Sequence, residues 1–202
     1  MSHDRPTSGI LLALAIILAS RLTQTGFLEN TAIELLLLAA IPILFIKLCG
    51  RNLKDFGLSL GNLRLGLKYS TVFFLLALPF MLYGSRMASF REYYPLWKPA
   101  YGNVYNLILY EIAVGILLFS TEVLYRGLLL FTLNEKTKYG NLLHACIYAL
   151  AHIGKPFLEI PYSFFAGLVF GEVDLKCKSI LPSFLMHFLG NIAFDLMFIY
   201  LL

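Results

Sequence analysis

The residues most able to do chemistry are a glutamate and an arginine inside an otherwise apolar stretch. Thr121 precedes Glu122, Arg126 follows four residues after the glutamate, and leucine, valine and phenylalanine flank the stretch. On a helix, Glu122 and Arg126 are neighbours on one face. A charge in hydrocarbon costs roughly 2.5–3.5 kcal/mol or more, so the pair should face a protein interior or a water-filled cavity. It indicates either a functional site or a structural ion pair that fixes helix packing.

Two further polar patterns occur in apolar segments. Tyr148 and His152 lie one helical turn apart, and His187, Asn191 and Asp195 follow one another at the same spacing. A carboxylate with an imidazole can hold and deprotonate a water molecule. An imidazole with an amide can donate hydrogen bonds to an oxyanion. If three helices turn these faces toward one cavity, the residues suit hydrolysis of an amide by water inside the membrane.

Each of these polar residues also has a structural interpretation. His152 and His187 could be hydrogen-bonding partners between helices. Asp195 is more simply interpreted as a partner of His187 than as a catalytic group. Glu111 lies three turns before the buried glutamate and could line the same cavity, but a structural role is simpler. His144 is interpreted as a packing residue.

A metal centre is the mechanistic alternative. Glu122, His152 and His187 offer oxygen and nitrogen ligands of the kind that zinc takes at an open catalytic site. The sequence contains no His-Glu-x-x-His pattern, and its three cysteines show no paired spacing. Both absences argue against zinc, which stays the alternative to a site without metal or other cofactor.

The composition indicates an integral membrane protein. Of the 202 residues, 59% are hydrophobic and 14% are charged, whereas soluble domains are about 25% charged. So large an apolar excess cannot be buried in one soluble core. The net charge is +4, and no basic stripe stands apart from the membrane flanks, which argues against nucleic acid as a partner. Membrane lipid is the expected environment and partner of the protein.

The apolar segments predict an all-α, polytopic transmembrane bundle of about seven to eight helices around a polar intramembrane cavity. We expect a single integral membrane domain over residues 1–202, with its motif-bearing core over about 104–202. No internal repeat is evident, which argues against a transporter. The predicted spans are residues 9–20, 31–48, 66–84, 104–134, 142–153, 160–171 and 180–202.

The basic residues predict the orientation of the bundle, with the N-terminus on the cytoplasmic side of the plasma (inner) membrane. Residues 9–20 are interpreted as the first membrane helix rather than as a signal peptide. The predicted cytoplasmic residues are Arg5, Lys47, Arg51, Lys54, Arg64, Lys68, Lys136, Lys138, Lys176 and Lys178. The predicted outer residues are Arg21, Arg86, Arg91, Lys98 and Lys155. Five aromatic residues of the 85–103 connection predict an interfacial belt: Phe90, Tyr93, Tyr94, Trp97 and Tyr101.

The three polar patterns resemble, in order, the motifs of the CPBP (CAAX protease and bacteriocin-processing, or Abi) family of glutamic-type intramembrane endopeptidases. The family pattern is Glu-Glu-xxx-Arg, then Phe-xxx-His, then His-xxx-Asn or His-xxx-Asp. The segments 164–171 and 179–183 are also similar to the family, and the resemblance covers about residues 119–193. The matching positions are Thr121, Glu122, Arg126, Tyr148, His152, His187 and Asn191.

The resemblance implies an intramembrane endopeptidase acting on a membrane-associated or C-terminal-tail substrate, lipidated or not. Glu122 and His152 would activate water, and His187 and Asn191 would bind the oxyanion. Members of the family cut prenylated C-terminal tails, bacteriocin leaders or C-terminal sorting tails, and the sequence favours none of these. The implied supporting residues are Arg126, which would hold the glutamate, with Thr121 and Tyr148.

The first motif departs from the family pattern, because Thr121 stands where the family has its first glutamate. Threonine cannot act as a general base near neutral pH. Three outcomes stay open. Glu122 could take over as base, with Thr121 only orienting water, or another carboxylate such as Glu172 or Asp195 could enter the site. Alternatively, the chain has kept the fold, lost the reaction and acts as an immunity or peptide-binding protein. Retained hydrolysis is favoured, since buried histidines and an asparagine are costly in a bilayer.

Overall fold

The structure is a computed structural model that describes residues 5–23 and 25–200. These residues form eight helices and no strand, which confirms the prediction of an all-α bundle. The last two residues of the predicted final span lie outside the described part. The helices are α1 (Arg5–Ser20), α2 (Phe27–Leu48), α3 (Leu63–Ser85), α4 (Ala88–Tyr93), α5 (Val104–Lys136), α6 (Gly140–Leu150), α7 (Glu159–Cys177) and α8 (Leu181–Tyr200).

Four of these helices, α2, α3, α5 and α8, are long and apolar enough to cross a membrane. The longest, α5, lies at the centre and packs against α1, α2, α6, α7 and α8. Its middle section is apolar on every side, and Leu124, Leu129 and Leu130 have no exposed surface. A helix that is hydrophobic all round belongs in the interior. The polar pair Glu122 and Arg126 is therefore carried by the most enclosed element.

The geometry of α5 changes directly after Glu122. Val123–Leu130 forms a π-helical segment in which every residue is buried. A second π-helical segment, Leu35–Ala40 in α2, packs against it. Wider turns of this kind are frequent at functional sites, because they turn side chains away from the ordinary helical register.

Small residues allow the helices around α5 to approach closely, as the spacing of Gly167 and Gly171 predicts. A Cβ atom on Gly167 of α7 would lie 3.2 Å from the Cα atom of Ala145 in α6. On the other side of the bundle, a Cβ atom on Gly66 of α3 would overlap the ring of Pro182 in α8. These contacts hold α7 against α6 and α8 against α3.

The connections fall into two groups at opposite ends of the bundle. At the first end, Arg51 donates to Glu135 at 2.9 Å and Ser59 donates to the carbonyl of Lys178 at 3.1 Å. At the second end, Arg21 donates to the carbonyl of Ile153 at 3.3 Å. Hydrogen bonds therefore tie together loops that are distant in the sequence.

The aromatic connection over residues 85–103 folds back onto the second end. Phe90 and Tyr94 are each 8% exposed and pack against Phe194 and Phe198 of α8. These two residues therefore pack inside the bundle against α8, and the interfacial belt stays a prediction. Burial raises the pKa of Tyr94, whose hydroxyl donates to Glu159 at 2.7 Å.

Candidate functional site

Glu122 is the point at which the other polar side chains converge. It has no exposed surface. Its Oε1 atom lies 2.9 Å from Nδ1 of His187, and its Oε2 atom lies 2.7 Å from Nη1 of Arg126. The hydroxyl of Ser183 is 3.1 Å from the same Oε2 atom. The structure therefore brings the predicted residues Glu122, Arg126 and His187 together.

Arg126 is enclosed between two aromatic rings. Its guanidinium carbon lies 4.5 Å from the ring centre of Tyr148 on α6 and 5.1 Å from that of Phe170 on α7. A desolvated cation over an aromatic face is attracted by the ring quadrupole. These contacts fix the guanidinium group beside Glu122, so Tyr148 supports the site by packing.

His187 connects the buried pair to more open space. Its side chain is 26% exposed, whereas those of Glu122 and Arg126 have no exposed surface. Because a carboxylate only accepts hydrogen bonds when ionised, Nδ1 of His187 carries the proton in this contact. Nε2 of His187 is then left with a free lone pair, as in the imidazole of a carboxylate–histidine pair.

His152 lies in the turn that follows α6 and is 8% exposed. Its Nδ1 atom is 2.8 Å from the carbonyl oxygen of Tyr148, so this nitrogen donates and Nε2 keeps a lone pair. His152 and His187 are near enough for their charges to interact. The structure therefore places the two imidazoles within electrostatic range of each other.

Asn191 belongs to a neighbouring polar cluster rather than to the contacts of Glu122. Its amide donates to Oδ2 of Asp195 at 2.5 Å, and Glu111 of α5 lies beside it. The prediction that Asp195 pairs with His187 is wrong, since each has another partner. One turn of α8 separates His187 from Asn191, and the contact with Asp195 uses one of the two amide N–H groups.

Glu172 and Asp195 are the two carboxylates that could have replaced the missing first glutamate, and neither contacts Glu122. Glu172 is 54% exposed and pairs with Lys176 at 3.1 Å on the surface of α7, and Asp195 is held in the neighbouring cluster. Thr121 donates its hydroxyl to the carbonyl of Leu117 at 2.9 Å within its own helix. The expectation that Glu172 or Asp195 supplies the missing carboxylate beside Glu122 is therefore wrong, whereas the orientation of water by Thr121 stays a prediction.

Sequence reasoning missed Asp174 and Ser183, which have no exposed surface and stand beside Glu122. The Ser183 hydroxyl lies 2.6 Å from Oδ2 of Asp174, and its backbone N–H donates to Oδ1 at 3.3 Å. The span predicted over residues 160–171 ends too early, because α7 continues to Cys177. Asp174 extends the buried face of Gly167 and Gly171, and that spacing was the available signal.

The remaining candidates have simpler surroundings. His144 is completely buried and stacks on Tyr148 with ring centres 6.0 Å apart, which agrees with its interpretation as a packing residue. Within residues 5–23 and 25–200, no three histidine, cysteine, aspartate or glutamate side chains are placed to hold one metal ion. The zinc alternative therefore does not fit these residues, and a site without cofactor stays a prediction.

Residues 101–193 match the family model described as type II CAAX prenyl endopeptidase Rce1-like. This segment is similar to the Rce1-like family. The match confirms the resemblance to the CPBP family and includes every predicted site residue. The family suggests CAAX-type intramembrane protease activity in general, and with the apolar helices it indicates an integral membrane protein. No curated protein and no solved structure matches the chain.

Proposed function

We propose that this protein is an intramembrane endopeptidase that hydrolyses a peptide bond by attack of an activated water molecule. The observation that carries the proposal is the contact between Glu122 and His187, in which a fully buried carboxylate orients a partly exposed imidazole. The Rce1-like segment supports it independently, because this is a protease family. The reaction needs a general base, and Thr121 cannot supply one.

In the proposed mechanism, Nε2 of His187 takes the proton of the attacking water as its oxygen bonds to the scissile carbonyl carbon. Glu122 holds the imidazole in the required tautomer and stabilises the imidazolium that forms. His187 then gives the proton to the leaving amine nitrogen as the C–N bond breaks. This assignment differs from the family-derived expectation, in which Glu122 and His152 activate water and His187 binds the oxyanion. It is favoured because Oε1 of Glu122 already faces His187.

His152 and Asn191 have complementary proposed roles. The free Nε2 lone pair of His152 accepts a hydrogen bond from the attacking water and so helps to hold it. An amide N–H of Asn191 donates to the developing oxyanion in place of its contact with Glu111, while Asp195 fixes the amide plane. Arg126 keeps Glu122 in place through their ion pair.

The proposed substrate is a peptide tail that ends at the membrane, with a prenylated C-terminal tail as the first candidate. The description of the matched family names this substrate class. A prenylated tail would reach the buried site from the surrounding lipid. Membrane lipid is the second expected partner of the protein. Bacteriocin leaders and C-terminal sorting tails are the remaining candidates.

The test is cleavage of an internally quenched peptide that carries a farnesylated cysteine followed by three residues. The full chain in lipid nanodiscs is compared with Glu122→Gln, His187→Ala and His152→Ala. General-base and oxyanion contributions predict losses of about 10²–10⁴-fold in kcat. Glu172→Gln, which alters an exposed carboxylate, should match the wild type. Equal product from the wild type and all three site variants would discard the enzyme interpretation.

One observation favours a second candidate, a catalytically silent membrane protein that binds peptides, as an immunity protein does. The hydroxyl of Thr121 donates to its own helix, and threonine cannot supply the general base of the first motif. A silent protein would bind the same peptide without releasing product. Peptide binding measured by fluorescence anisotropy, beside the cleavage assay, separates the two functions.

A further inference from the structure

The hydroxyl of Ser183 lies between two buried carboxylates. It is 2.6 Å from Oδ2 of Asp174 and 3.1 Å from Oε2 of Glu122, and neither carboxylate has exposed surface. A serine hydroxyl has one proton to donate and two lone pairs with which to accept. If both acids were ionised, one of these two contacts would hold no proton at all.

The positive charges of the site are distributed unequally between the two acids. Glu122 has Arg126 at 2.7 Å and His187 at 2.9 Å. Among the described residues, the ion pairs of Asp174 include Arg126 alone, whose Nε atom is 4.0 Å away. On its own helix, Asp174 interacts with Cys177, which brings no cation, while Lys176 pairs with Glu172 on the surface. A buried carboxylate without a close cation is strongly disfavoured, so an additional proton belongs on Asp174 rather than on Glu122.

We propose that Asp174 is held as a neutral acid that donates its proton to the oxygen of Ser183, while Ser183 donates its own proton to Glu122. Each of the two contacts then contains one proton. The serine oxygen also lies 2.8 Å from the carbonyl of Ile180, but the carboxylate of Glu122 is the stronger acceptor. The backbone N–H of Ser183 donates to the remaining oxygen of Asp174.

This arrangement makes Asp174 a positioning residue that acts through Ser183. It leaves Glu122 as the single anion of the cluster, balanced by Arg126 and aimed at His187. The neutral acid also explains how two carboxylates share one arginine in an apolar bundle. The effect on catalysis rests on the proposed function, whereas the proton on Asp174 does not.

Infrared spectroscopy tests the proton directly. The full chain in lipid nanodiscs is compared with Asp174→Asn and with Glu172→Gln, a matched change to an exposed acid on the same helix. We expect the difference spectrum between wild type and Asp174→Asn to contain the C=O stretch of a protonated carboxylic acid, shifted in D₂O. Other protonated acids cancel in this difference. A spectrum without that band, or the same band in the Glu172→Gln difference, overturns the proposal.

Activity tests the positioning role on the farnesylated quenched peptide. Asparagine reproduces the neutral acid, since its amide N–H donates to Ser183 and its oxygen accepts from the backbone. Asp174→Asn should therefore lower kcat only about threefold, while Asp174→Ala and Ser183→Ala should lower it about 10–100-fold. Equal losses for Asn and Ala would show that the charge is needed, and no loss in either would remove the positioning role. Both results overturn the inference.

The infrared and activity experiments also distinguish a failure of this inference from a failure of the proposed function. If the wild type cleaves no peptide, the proposed function fails, and the infrared band still decides whether Asp174 carries a proton. If the wild type cleaves but the band is absent, the hydrolase stands and the inference fails. Should Asp174→Ala not fold, the isosteric Asp174→Asn still gives the spectroscopic result.

Discussion

At the scale of single residues, the site depends on how Glu122 is enclosed. Its two oxygens contact two residues of α8 and one residue of α5, and no solvent reaches them. A bilayer cannot compensate for a lost partner, because it offers no water to the group left behind. Changes at Glu122 should therefore affect stability as well as chemistry.

Glu122→Gln should lower the free energy of unfolding by about 3–5 kcal/mol, since it leaves Arg126 buried without its counterion. SDS titration of the purified protein, followed by helical circular dichroism, measures this loss. Glu172→Gln is the control, because the exposed pair with Lys176 contributes at most about 1 kcal/mol. Similar unfolding midpoints for the two variants would contradict the structural importance of the buried pair.

Thr121→Glu should raise the rate of peptide cleavage if the site is intact and short of a base. The new carboxylate would stand next to Glu122, and a general base contributes about 10²–10⁴-fold in favourable cases. Thr121→Gln has the same size without the charge and should not raise the rate. A gain in both variants, or in neither, would mean that a missing carboxylate does not limit activity.

Spacing in the sequence predicted the residues that share a helix but not those that meet between helices. Glu122 and Arg126 follow the four-residue rule, and the structure pairs them. Asp174 and Ser183 are nine residues apart on two helices, so no periodicity connects them. Asp195 was paired with the wrong residue of α8, since its partner is Asn191 one turn away and not His187 two turns away.

At the scale of helices, the apolar runs located the spans but not their ends. The second span was predicted to start at residue 31, whereas α2 begins at Phe27. Asn30 and Glu34 are polar but hydrogen-bond to each other at 2.9 Å along the helix, so polar residues continue it. The π-helical segments carry no sequence marker that would have predicted them.

Gly66→Ala should destabilise the protein and lower cleavage, because the added methyl group would overlap Pro182 at the start of α8. Pro182 is followed by Ser183, so a shift of α8 also moves the hydroxyl beside Glu122. Overpacking of this kind costs about 1–3 kcal/mol. Melting temperature and cleavage rate are measured together.

Gly190→Ala is the matched control for this change, also within a membrane-spanning helix. A Cβ atom on Gly190 meets no atom within 4 Å. Alanine there should be neutral, or stabilising by at most about 1 kcal/mol, because it favours the helical conformation. If both glycine variants behaved alike, the contact between α3 and α8 would not be what positions Ser183.

At the scale of the whole molecule, the two ends of the bundle differ in charge. Hydrogen bonds join the connections after α2, α5 and α7 at the first end. The start of α1 lies at the same end, where Gly9 is near Thr132. These are the regions predicted to be cytoplasmic. The connections after α1, α3 and α6 lie together at the second end. The charge pattern and the fold therefore divide the loops in the same way.

The first end should face the cytoplasm, because it carries ten of the lysine and arginine residues against five at the second end. The sixteenth, Arg126, is buried in the site. Single cysteines are introduced in a background in which Cys49, Cys146 and Cys177 are replaced by serine. A membrane-impermeant maleimide applied to intact cells should label Glu92→Cys at the second end and leave Lys138→Cys at the first end unlabelled. Permeabilised cells should label both, which controls for accessibility. Labelling of Lys138→Cys alone in intact cells would place the basic end outside and invert the side from which a substrate tail approaches His187.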